Sequence, residues 1–102
     1  MEVWIGLVEV RPTTGNDIFD GAPGAFANAL TSAQSLDDYR SRIEAAFEEE
    51  RLAVAEIQNA EPLRERMSRV HVKDEIVELG GKALHGGVVW DTFYIFESDE
   101  DE

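Results

Sequence analysis

The sequence predicts an α+β fold: a two-layer sandwich in which a four-stranded, mainly antiparallel sheet carries two to three helices on one face. Three observations predict it. Gly87–Phe96 (GVVWDTFYIF) is dense in aromatic and β-branched residues, which suit a pleated, half-buried surface. Val3–Val10 (VWIGLVEV) has the same character at the other end of the chain, so both termini are expected in one sheet. Between them strand and helix patterns follow the order β-β-α-β-α-β, which layers naturally as α+β.

Each element has a local reason. In Val3–Val10, Val3, Ile5 and Leu7 alternate with Trp4, Val8 and Val10, and Gly6 marks a bulge or a close backbone approach. Arg11-Pro12 is expected to stop the pairing, since proline donates no ladder hydrogen bond. Thr13–Gly24 reads as a long loop, with turn signals at Gly15-Asn16, Asp20-Gly21 and Pro23-Gly24. Ala25–Ala33 is expected as a strand of small residues, although alanine favours helix. The box Ser35-Leu36-Asp37-Asp38 then starts a helix over Leu36–Glu50, with Leu36, Tyr39, Ile43, Ala46 and Phe47 on one face.

Leu52–Gln58 is the third strand. Ala60-Glu61-Pro62 opens a second helix with the stripe Leu63, Met67 and Val70, and Asp74 starts a third with Ile76, Leu79 and Ala83. Gly80-Gly81 either ends that helix early or admits a close neighbour, and Gly86-Gly87 turns the chain into the last strand. There, Val89, Phe93 and Ile95 alternate with Val88, Trp90, Tyr94 and Phe96. A strand apolar on both faces is expected inside a sheet, or between helices and a partner. The element order resembles that of ferredoxin-like sandwiches with one helix replaced by the Thr13–Gly24 loop, a likeness that implies no function.

The 102 residues are expected to form one domain over 1–96, followed by a disordered acidic tail, 97–102. Without cysteine there is no disulfide framework, and no apolar run reaches the roughly 20 residues of a membrane span. The first strand lacks a basic flank and is interrupted by Glu9 and Arg11, unlike a signal peptide. A cytoplasmic protein is the expectation. Charge is the dominant feature: 22 Asp and Glu against 9 Lys and Arg, a net −13. Such a chain repels phosphate backbones, which argues against direct nucleic-acid binding.

Motifs for catalysis are missing from the sequence. There is no nucleophile elbow, P-loop or dinucleotide fingerprint. His71 and His85 lack zinc-site spacing, and Asn16, Asp17 and Asp20 do not match a calcium loop, so neither metal nor cofactor is expected. Glu9, Glu56 and Asp91 each interrupt an apolar strand, and two of them side by side on a buried face would make an acid candidate.

A sharper signal lies in two charge patches. Glu48, Glu49 and Glu50 end the first helix and oppose its dipole by about 0.3–1 kcal/mol each. Arg64, Arg66 and Arg69 begin the next helix. The intervening strand of seven residues spans about 23 Å, so the patches are expected at opposite ends of the sheet and able to meet only between chains. These six residues are interface candidates, with the loop pair Ile18 and Phe19 as apolar anchors. The expected function is an acidic protein-protein interaction module, of the immunity or inhibitor kind, that engages a basic protein. The alternatives are a homodimer or other homo-oligomeric accessory protein without catalysis, and a small-ligand domain with a pocket under the 13–24 loop between Trp4, Phe19 and Trp90.

Overall fold

The structure, a computed structural model, describes residues 1–96. The acidic run 97–102, expected as a disordered tail, lies outside the described residues. Strand β1 (Glu2–Pro12) occupies the middle of the sheet, antiparallel to β2 (Gly24–Ala33) on one side and to β3 (Leu52–Pro62) on the other. Helix α1 (Leu36–Glu49) joins β2 to β3. After β3 come α2 (Leu63–Arg69), α3 (Asp74–Leu84) and two short strands, β4 (Val89–Trp90) and β5 (Tyr94–Phe96), both antiparallel to β2. The fold is α+β with a five-stranded antiparallel sheet ordered β3-β1-β2-β4, β5 extending the β4 edge. Because β1 lies between β2 and β3, β2-α1-β3 is a split β-α-β unit.

The sheet is apolar on one face and over part of the other. On one, Val8, Val10, Ala25, Ala29 and Ala33 meet Tyr39, Ile43 and Phe47 of α1. The small side chains of β2 leave room for those large ones, and this packing overrides the helix preference of alanine. On the other face Val3, Ile5 and Leu30 are covered by Leu63 of α2 and by Ile76 and Ala83 of α3. The helices therefore divide between the two faces, where the sequence suggested one. The reason is that β1 carries apolar residues at both odd and even positions. Leaving Val3 and Ile5 in water would forgo about 1.5–3 kcal/mol each. The sheet and α1 form the two-layer sandwich, and α2 with α3 lies over one half of the remaining face.

The largest departure is in Gly87–Phe96. It is not one interior strand but two short edge strands. Between the pairs Ala29–Trp90 and Phe26–Tyr94, two residues of β2 face three of the C-terminal segment. The extra residue flips the alternation, so that Trp90 and Phe93 share the α1 side and Val89, Tyr94 and Phe96 lie on the other. Asp91 holds this break. Its carboxylate accepts from the Asn28 backbone N–H at 2.8 Å and from Asn28 Nδ2 at 2.9 Å, while its own N–H donates to Asn28 O at 3.1 Å.

Strands β1 and β3 run further than expected. Pro12 still pairs with Leu52, and β3 continues to Pro62. An extra β3 residue opposite Gly6 makes this possible, with Asn59 in the left-handed region at φ 57°. A Cβ on Gly6 would lie 2.8 Å from Tyr39 Oη and 3.2 Å from Ala60 Cβ, so the glycine permits the close approach. The Tyr39 hydroxyl donates to Ala29 O at 2.8 Å, and burial pushes its pKa well up. Gly80 has the same role in α3, which continues past it: a Cβ there would meet Leu63 Cδ2 at 2.8 Å. A second bulge at Ala55 irregularises β3 again, and the other edge is made of strands of only two and three residues, so both sheet edges are blunted against further pairing.

Helix α1 starts at the expected cap. Ser35 Oγ accepts from the Asp38 N–H at 3.2 Å, and the Asp38 carboxylate accepts from the Gln34 N–H at 2.9 Å, which holds its pKa down. At the other end, with no basic residue in the last turn, the loop supplies the donors. Asn16 Nδ2 bonds the carbonyls of Glu50 at 3.1 Å and Arg51 at 2.7 Å, and Thr13 Oγ1 bonds Arg51 O at 3.0 Å.

Candidate functional site

Helices α2 and α3 cover only the rows of the sheet around Val3 and Ile5. The pairing registers define what stands on the rest of that face. One row reads Gln58, Leu7, Asn28; the next reads Glu56, Glu9, Phe26, Tyr94; beyond it Ala53 pairs with Arg11 and Gly24 with Phe96. Among the described residues no helix lies over these rows. Glu56 and Tyr94 are exposed, and Leu7, Glu9, Phe26 and Phe96 are half-buried.

This surface mixes acids with rings. Glu9 and Glu56 sit directly opposite each other across β1 and β3. Like charges in that relation destabilise a sheet. Glu9 has an in-chain cation: Arg11 Nη2 lies 2.7 Å from its Oε2. The same guanidinium lies over the Phe96 ring, 5.4 Å from its centroid, and Phe96 packs against Phe26 at 5.3 Å. Among the described residues Glu56 has no cation within 4 Å.

The residues singled out in the sequence are spread over the fold. Glu48, Glu49 and Glu50 are exposed at the end of α1. Glu48 borders an open cleft of about 430 Å³ with Glu44, Thr13, Arg51 and the 52–54 segment of β3. The arginines stand at the far end of β3 and on the opposite side of the sheet, and each has an in-chain partner. Arg64 makes two bonds of 3.1 Å to the Glu2 carboxylate. Arg66 and Arg69 both grip Glu61, Arg69 at 2.6 and 3.0 Å, and Arg66 also donates to Asn59 O at 2.8 Å. The motive for pairing these arginines with Glu48–Glu50 of a second chain, an uncompensated positive patch, is thus met within one chain.

In the loop, Phe19 is buried with its ring 5.2 Å from Phe93, whereas Ile18 is 53% exposed. The three rings proposed as pocket walls are each packed on another ring. Trp4 stacks on Tyr39 at 6.2 Å, Trp90 lies tilted against Phe47 at 4.5 Å, and Phe19 meets Phe93 edge to face. Of the three strand acids, Glu9 and Glu56 are neighbours on a wet face, and Asp91 is the clamp of the sheet edge. Leu7, Phe26 and Gln58 carried no functional signal in the sequence, because only cross-strand register places them beside Glu9 and Glu56.

The Glu61 cluster borders an open cleft of about 420 Å³ with Leu7 and Ala60. The bonds from Arg69 and then Arg66 hold the Glu61 pKa at about 2, down from 4.5. A depressed carboxylate contributes stability that is complete above its unfolded pKa and is lost as pH falls through the folded one. The cluster is therefore expected to weaken between about pH 4.5 and pH 2. Thermal melts of Glu61→Gln against the parent over that range check this: the parent should lose its advantage on acidification, and parallel curves would contradict the assignment.

Among the described residues, no three His, Cys, Asp or Glu side chains are grouped to hold a metal, and no helix is long and apolar enough to cross a membrane. No family model, curated protein or solved structure matches the chain.

Proposed function

We propose that this protein is an acidic interaction module whose partner is a basic protein, in the manner of an immunity-type protein or an inhibitor. The observation that carries the reading is how its charge is distributed. Arg11, Arg42, Arg64, Arg66 and Arg69 are engaged with Glu9, Asp38, Glu2 and Glu61. Among the described residues, 13 of 17 carboxylates have no cation within 4 Å. The chain spends much of its positive charge internally and presents a surplus of negative charge outward. Such a field steers a basic partner and rejects an acidic one. The blunted sheet edges favour side-chain recognition over strand addition.

The reading is tested by capture from native lysate at low salt, followed by reconstitution with the purified protein retained. A basic protein is expected, with affinity falling about tenfold or more between about 50 and 200 mM salt. A partner of neutral or acidic character, or one indifferent to salt, overturns it.

A further inference from the structure

We infer that the uncovered half of the sheet is the docking surface, and that the partner enters it with an arginine side chain set between Glu56, Glu9 and the ring of Phe26. This rests on the proposed basic partner and says where and by which group it is held. The row Glu56, Glu9, Phe26, Tyr94 places two carboxylates beside two aromatic rings on one face. A guanidinium suits that row better than an ammonium. Its planar fork bonds a carboxylate through two N–H groups, and its face lies on a ring. The protein already contains one example on the neighbouring row, where Arg11 bonds Glu9 at 2.7 Å and covers Phe96 at 5.4 Å.

Glu56 is the unmet part. It is exposed, directly opposite a like charge, and Arg11 is turned toward Glu9. A cation arriving from outside relieves the cross-strand repulsion that the isolated chain carries. A second copy of the chain is a poor occupant, since it would bring a further net −13 to the same face.

The test uses the full chain, isotopically labelled, titrated with an alternating arginine–threonine peptide of about ten residues, the reach of the longer strands. A lysine–threonine peptide of the same length is the comparison. Amide shifts are expected at Leu7, Glu9, Phe26 and Glu56, with the arginine peptide binding about threefold or more tighter. Glu56→Gln, whose own spectrum reports that it is folded, should weaken the arginine peptide about fivefold or more. Shifts confined to Glu44 and Glu48–Glu50 overturn the docking site and leave the basic-partner reading standing. Equal binding of the two peptides, or indifference to Glu56→Gln, overturns the arginine assignment. Binding of neither peptide overturns both readings. Concentration-dependent self-association that shifts the same amides hands the face to a second copy.

Discussion

Replacing Phe47 with alanine is expected to cost about 3–5 kcal/mol, the usual range for an aromatic ring deleted from a core. Phe47 is fully buried in the layer between α1 and the sheet. Its ring lies 4.5 Å from Trp90 and 6.3 Å from Phe93, and Phe93 continues the series to Phe19 at 5.2 Å. Four rings thus tie the helix to the C-terminal edge and to the loop. The alanines of β2 opposite α1 cannot lean inward to fill a gap, so most of the ring's volume stays as a cavity. Domains of this size often have only about 5–15 kcal/mol in total, so the variant is expected to sit close to unfolding. Urea unfolding followed by tryptophan emission checks the value. Phe47→Leu, which keeps much of the volume, should lose distinctly less. A loss below about 1 kcal/mol for the alanine variant would mean that the ring series is not what holds the edge to α1.

The extent to which the sequence showed this fold follows from how local each signal was. Helix α1 was legible to within a residue because its stripe, its Ser35 cap and the preceding strand all agreed. Strand β2 was legible despite its alanines because the helix start fixed its end. The strand ends were not, because bulges set them. Nothing around Asn59 announces that β3 passes Gly6 with an extra residue and pairs Glu61 with Ile5. The break in Gly87–Phe96 was hidden for a similar reason. A run of aromatic and β-branched residues reads as one strand, and the bonds from Asp91 to Asn28 join positions 63 apart in sequence. Asp91 was noticed as an interruption, but its partner lay on another strand.

The site was less legible than the fold, for a reason of geometry. The charge surplus is additive and needs no structure. Which carboxylates are free is a matter of pairing, and pairing is tertiary. Arg64 meets Glu2 from the far end of the chain, and Arg66 and Arg69 meet Glu61 across the β3–α2 junction. In the sequence these three arginines look like a basic stripe awaiting a partner, while in the fold each has one. Glu9 and Glu56, 47 positions apart, looked like separate outward residues, and only the β1–β3 register sets them side by side. The division of helices between two faces then decides that this pair stays in water.

Asp91→Ala is expected to release the C-terminal edge at a cost of about 1.5–3 kcal/mol, the range for bonds to a charged group. The carboxylate receives two donors from Asn28 at 2.8 and 2.9 Å, and one of them is a backbone N–H inside the break of the ladder. Alanine leaves both without an acceptor on that side. Strands of two and three residues have little pairing of their own to fall back on. Amide exchange is therefore expected to quicken across β4 and β5 while α1 and β1 stay protected. Asn at this position keeps one acceptor and sets its Nδ2 against that of Asn28, so it should fall between the parent and alanine. Uniform quickening through α1 would instead make Asp91 part of the global core. The same release bears on the open face, because Tyr94 and Phe96 reach it only while β5 stays paired with β2. A variant that frees the edge should then hold a guanidinium less well, even with Glu9 and Glu56 untouched. The outer rings of the surface, Tyr94 and Phe96, are thus set by a clamp at the sheet edge opposite Glu56.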